Sequence, residues 1–216
     1  SSSSNSASSS SNSASSSLST ATSSTTSATK PSRRVWFSKS YLMTRFTGEN
    51  YKDVKNWHES NKLNNDNDIF KLRRMVVPVY KDPHHWISIH VDFVKKEILC
   101  YDSMGAKGTK YLDLMYKYLE HAWNEHHFDE HESFNSDESW CMRSLGVSIP
   151  QQNPKGVDCA VFMCMYAIYV TDPVIMSYIE ETEDTTIDGL PLCFDQKNMK
   201  YMRRRLALDM LNGVLE

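Results

Sequence analysis

One stretch, Gln151 to Val170 with the sequence QQNPKGVDCAVFMCMYAIYV, narrows the choice of folds more than any other. Pro154 and Gly156 mark a loop, and from Ala160 to Val170 no residue carries a charge. A helix that is apolar on every side belongs at the centre of a domain; this one is too short to span a bilayer. Asp158 is placed to cap it and Cys159 falls in its first turn. Unsatisfied N–H groups and the positive end of the helix dipole face a side chain there. Both favour the thiolate, which is the nucleophilic form of cysteine. A cysteine that merely packs, as Cys164 would, is the commoner occupant of such a stretch. Chemistry at Cys159 therefore requires a base and an oxyanion donor from elsewhere in the chain.

Composition divides the 216 residues in two. Residues 1–34 are mostly Ser, Thr, Ala and Asn, too polar to offset the entropy of ordering, so a disordered tail is expected. The tail carries Lys30, Arg33 and Arg34 and no acid, which leaves residues 35–216 more acidic than the whole-chain charge of −3. A body of that sign is a poor general binder of nucleic acid. The five cysteines fit no disulfide framework, and the chain lacks a signal-peptide pattern; both point to a reducing compartment. No stretch is apolar for long enough to cross a membrane.

Residues 35–216 are enough for one domain with a substantial core. Met75 to Tyr80 reads as a strand, with Pro78 marking an edge or bulge. From His85 to Phe93 the residues alternate, placing Ile87, Ile89, Val91 and Phe93 on one face and Trp86, Ser88, His90 and Asp92 on the other. A second strand covers Glu97 to Tyr101. A helix follows from Tyr111 to about Asn124, then polar sequence, then a short strand at Val147 to Pro150. A last helix is capped by Asp195 and carries the stripe Met199, Met202, Leu206 and Met210. Strands followed by a buried helix give an α+β or mixed α/β domain.

The hairpin supplies a candidate base. A two-residue turn at Phe93-Val94 sets His85 opposite Asp102, and moving the turn by one residue keeps them within reach. An Asp–His pair fixes the ring tautomer and stabilises imidazolium. Such a histidine can deprotonate a thiol and later protonate a leaving amine. His84 is a rival, but His85 begins the alternating strand. The Cys159 N–H is one candidate oxyanion donor, and the amide of Gln152 or Gln151 a second.

These pieces occur in order as His85-Trp86, VDF at 91–93, YDSMG at 101–105, IPQQ at 149–152, Asp158-Cys159 and FDQKNMKYMRRR at 194–205. Together with YKDVKNW at 51–57, they resemble the ubiquitin-like-protein-specific cysteine proteases, also called sentrin- or SUMO-specific proteases. The resemblance implies an α+β, papain-like core with a central buried helix against a small mixed sheet. It implies Cys159 as nucleophile, His85 as base, Asp102 as its orienter and Gln152 as oxyanion donor. Trp86 would cover a narrow tunnel for the Gly-Gly tail of a small ubiquitin-like modifier, through which only glycine can pass. The function implied is a thiol isopeptidase that removes SUMO or a similar modifier from lysines and processes its precursors. It would act as a monomer in the nucleus, without a cofactor.

This sequence departs from the family at three points. Ala160 stands where the family has Gly. Gln152 lies seven residues before the cysteine rather than six, the position held here by Asn153. The family's upstream Trp-Leu-Asn-Asp segment has no counterpart, the Ser-rich tail standing in its place. A second reading is therefore a non-catalytic module that binds the modifier; a third, an acyltransferase, lacks a phosphate-binding loop. His121, His126, His127, His131 and Cys141 invite a zinc reading, but their surroundings are polar and no CxxC is present. Arg203-Arg204-Arg205 reads as a solvated helix face.

Overall fold

Strands β3 (His85–Asp92) and β4 (Glu97–Tyr101) form the antiparallel hairpin at the centre of the protein. The turn takes four residues, not two. The register runs from Asp92 opposite Glu97 to Ser88 opposite Tyr101, one step from the expected pairing. Asp92 Oδ1 accepts from the N–H groups of Val94 and Lys95, at 3.1 and 3.0 Å, which shapes the turn. Lys96 completes it with a φ of 51°. The computed structural model describes residues 35–55, 68–81, 84–127, 133–134, 139–171, 192 and 194–213. The Ser-rich tail, His131 and residues 172–191 lie outside them, and so do the expectations made for them.

Strand β2 (Arg74–Lys81) pairs antiparallel with β3, and β1 (Val35–Phe37) pairs parallel with β2. Strand β5 (Cys141–Ser144) adds parallel to β4, giving the order β1-β2-β3-β4-β5. Pro78 lies beyond the last residue that β1 pairs, Val76, where β2 is locally an edge and a missing N–H is tolerated. The strand expected at Val147 to Pro150 is absent. Those residues begin in a 3-10 turn, Gly146–Ser148, with Val147 83% exposed. The pairing strand lies earlier, and none of its four residues is buried.

Both faces of the sheet are covered. One face presents Met75, Val77, Ile87, Ile89, Val91 and Ile98 to α1 (Leu42–Arg45), α2 (Tyr51–Val54) and the long helix α3 (Thr109–His126). Helix α3 contributes Leu112, Met115, Tyr118, Leu119 and Ala122, an i, i+3, i+4, i+7 stripe. It starts at Gly108, with φ of 55°, where a Cβ would collide with the Cys100 sulfur. The opposite face packs Leu99 and Tyr101 against α4 (Cys159–Thr171), whose Phe162, Met165, Tyr166 and Val170 are buried. Helix α4 is not enclosed all round, since Ile168 is 38% exposed. Helix α5 (Met199–Leu211) lies beside it, with Met199 buried, Met202 and Leu206 half-buried and Met210 exposed.

On the α4 side β2 and β3 bury the polar residues Arg74, Ser88, His90 and Asp92. Arg74 donates to Asp92 Oδ2 at 3.0 Å and, through Nη1, to the Val170 carbonyl of α4 at 2.7 Å. His90 meets Ser88 Oγ at 3.0 Å through Nε2, and its ring lies 4.3 Å from that of Tyr101. Burial, aided by the Arg74 charge, holds its pKa at about 3, far below the usual 6.5. The unfolded chain therefore takes up a proton that the folded chain refuses. Stability present above pH 6.5 is lost as pH falls from there toward about 3. The expected slope is up to about 1.4 kcal/mol per pH unit. Denaturant unfolding of wild type and His90→Gln between pH 7 and 4.5 checks this. The variant should show the flatter dependence, and equal slopes would refute the assignment.

Candidate active site

Cys159 is the first residue of α4 and is buried. Asp158 occupies the cap position, since its carbonyl accepts from Phe162 N–H at 2.9 Å. Its carboxylate does not cap the helix but turns to Gln196 and Arg203. The N–H groups that open the helix are thus left to other acceptors, the condition for an oxyanion site. Cys100 and Cys164 differ from this setting. Burial, with the Asp102 charge, pushes the Cys100 thiol up to about 12, and burial raises that of Cys164. Both stay protonated and inert. The four described cysteines are free.

His85 opens β3 and Asp102 follows β4 by one residue. With the register one step over, the two meet diagonally, and His85 Nε2 lies 2.7 Å from Asp102 Oδ1. The imidazole is nearly buried and the carboxylate wholly so. Oδ1 also accepts from the Met104 N–H at 2.8 Å, and Lys81 Nζ stands 3.7 Å from Oδ2. Burial alone would raise the Asp102 pKa. The hydrogen bonds from His85 and Met104 and the charges of His85 and Lys81 outweigh it, holding the carboxylate below its ordinary value. Asp102 thus stays ionised and directs Nε2, leaving Nδ1 as the nitrogen free to exchange a proton. His84 is exposed, in a left-handed conformation, with its ring on Tyr80 Oη at 2.9 Å. It does not share the acid.

The segment before Cys159 is fastened to the segment that carries Asp102. Gln152 N–H donates to Ser103 O at 2.9 Å. The Gln151 amide is spent on the loop, donating to the carbonyls of Ile149 at 2.9 Å and Gly146 at 3.1 Å. Asn153 is exposed and forms a turn, its Oδ1 accepting from Lys155 N–H at 3.0 Å. Gln152 alone of the three has a buried side chain, with Oε1 unpartnered. Trp86 follows His85 on β3, half-buried, its ring 5.1 Å from Tyr80.

Two site-bearing residues escaped the sequence reading. Gln196 and Arg203, from the segment that leads into α5 and from α5 itself, both bind Asp158. All three members of the run Arg203-Arg204-Arg205 are exposed, and Arg203 also bonds Asp158. Among the described residues no group of three metal-binding side chains occurs. His121 lies 3.2 Å from Gly48 O, and the His127 ring stacks on Trp123 at 4.0 Å. No described helix is long and apolar enough to cross a membrane.

The family model for the Ulp1 protease family, C-terminal catalytic domain, matches residues 13–213. Human sentrin-specific protease 2 is 25% identical over 177 residues, which cover 82% of this chain and 25% of that protein. The chain spans about a quarter of the length of the sentrin-specific proteases it matches. A structure of the SUMO protease Ulp1 with its catalytic cysteine oxidized to a sulfonic acid superposes with a TM-score of 0.61 at 23% identity, covering 84% of this chain and 71% of that one. The C-terminal Ulp1 protease domain in complex with Smt3, the yeast ortholog of SUMO, gives 0.59 at 24%, with 84% and 70% covered. At these identities the two structures establish the α+β papain-like fold.

Proposed function

The chain belongs to the Ulp1 protease family, and on that premise we propose that it is a thiol protease that cleaves after the C-terminal Gly-Gly of a small ubiquitin-like modifier of the SUMO type. The observation that carries the reading is the buried His85–Asp102 pair, whose histidine opens β3, the strand against which the helix headed by Cys159 packs. Asp102 holds the imidazole through Nε2, and Nδ1 takes the thiol proton. The Cys159 thiolate attacks the carbonyl carbon of the terminal glycine. The oxyanion is met by the Cys159 N–H and the Gln152 amide. His85 returns the proton to the departing lysine amine, leaving a thioester. Water, deprotonated by His85, then adds to the thioester carbonyl, and the thiolate leaves to release the free carboxylate. Trp86, beside the base, covers the glycine tail.

The direct test uses a SUMO-type modifier with a C-terminal electrophile, under reducing conditions. The expected result is a covalent adduct of one modifier per chain, lost in Cys159→Ala. No adduct from folded protein would refute the protease. Retention of the modifier without an adduct would instead identify a binding module. Gln152→Ala is expected to lower kcat by about 10²- to 10³-fold with little change in KM. Steady-state hydrolysis of a modifier with a C-terminal fluorogenic amide measures it.

A further inference from the structure

Helix α5 reaches back to the nucleophile. Arg203 Nε donates to Asp158 Oδ1 at 2.7 Å, and Nη2 donates to the Val157 carbonyl at 3.0 Å. Gln196 Nε2 donates to the other carboxylate oxygen, Oδ2, at 2.7 Å. The Gln196 Oε1 atom in turn accepts from the Asn153 N–H at 2.7 Å. One side chain thus bridges both ends of the loop from Asn153 to Asp158, and the pattern of donor and acceptor fixes its amide orientation. Gln196 is itself held by the turn it opens, where Asp195 accepts from Lys197 N–H and Asn198 accepts from Asp195 N–H. The loop between the clamped ends is tight. Gly156 N–H donates to Asn153 O at 2.7 Å, and a Cβ on Gly156 would come within 3.0 Å of that carbonyl.

The clamped residues are the immediate neighbours of the two groups assigned to the oxyanion. Asn153 follows Gln152, and Asp158 precedes Cys159. The clamp therefore sets the gap between those donors. It has an electrostatic side as well. The Arg203 guanidinium compensates the Asp158 carboxylate beside the nucleophile. Hydrogen bonds from Gln196 and Arg203, with the Arg203 charge, overcome the opposing effect of burial and keep Asp158 ionised.

We propose that Arg203 and Gln196 are positioning residues for the proposed cleavage, acting through Asp158 to hold the 152–159 loop in its reactive geometry. The inference rests on the protease reading above. A displacement of about 1 Å in a catalytic group costs on the order of 10²-fold. Arg203→Ala is accordingly expected to lower kcat per active site, titrated with the electrophilic modifier, by about 10- to 100-fold. KM should change by less than about 3-fold, since the loop acts on the transition state rather than on the bound modifier. Asp158→Ala added to Arg203→Ala should lower kcat by clearly less than the product of the two single losses, because Arg203 acts through Asp158 and only the Gln196 contact remains to be lost. Gln196→Glu, which keeps the acceptor for Asn153 but sets a carboxylate against Asp158, should reproduce the loss.

Amide hydrogen exchange supplies a readout that needs no turnover. In either single variant the amides of residues 153–158 should exchange faster than in wild type, while those of β3 stay protected. Unchanged exchange over 153–158, an unchanged kcat per titrated site, or losses that multiply in the double variant would overturn the proposal. Failure of wild-type protein to form the adduct would sink the protease reading instead, and the exchange result would still decide whether the clamp holds the loop.

Discussion

Cys159→Ser lowers kcat by at least about 10⁴-fold while leaving KM nearly unchanged, on the expectation that the thiol is the attacking group. The substitution changes one atom, so packing at the head of α4 is kept. Serine is a far weaker nucleophile at neutral pH, because its hydroxyl is almost wholly protonated. The comparison that makes the test sharp is Cys164→Ser. Cys164 is half-buried five residues on, in the same helix, with its thiol held protonated by burial. That variant should turn over at the wild-type rate to within a few fold. Equal loss in both would mean that the helix tolerates no hydroxyl and that the chemistry lies elsewhere. Stopped assays with a fluorogenic modifier, normalised to folded protein, measure both.

Arg74→Met destabilises the domain by about 3–5 kcal/mol, the usual result of removing one partner from a buried ion pair. Arg74 and Asp92 sit opposite each other across β2 and β3. Both side chains are only 2% exposed. Methionine replaces the aliphatic stem of the side chain but leaves the Asp92 carboxylate without the Arg74 guanidinium and the Val170 carbonyl without its Nη1 donor. Asp92→Asn in the same background should recover a large part of the loss, since a neutral amide costs less to bury and its oxygen still accepts from Val94 and Lys95. Urea unfolding of the four proteins gives the cycle. A single-variant loss under about 1 kcal/mol would show that water or a nearby group takes over from Arg74.

The hairpin was legible because its alternation is strict and the acid falls one residue past a strand end. Only the turn length was off, and the diagonal reach of the side chains absorbed the difference. The start of α4 was legible from loop residues running into an uncharged apolar run. The family resemblance favoured Gln152, while the residues alone left Gln151 and Asn153 open, because that choice depends on which amide is spent on loop carbonyls. Strand β5 was misplaced for a physical reason. Cys141 to Ser144 pairs through its backbone while none of its side chains is buried, so it carries no hydrophobic pattern; Val147 to Pro150 carries a pattern without pairing. Arg203 and Arg74 were illegible because each acts across a long stretch of sequence, on a partner that no local spacing reveals.

The contact between Asp158 and Arg203 spans 45 residues of chain. A ribosome adding about 5–20 residues per second takes a few seconds over that interval. During it, the nascent polypeptide already contains the imidazole, the acid and the thiol, but not the guanidinium that braces the loop beside the thiol. Synthesis thus delivers the brace last.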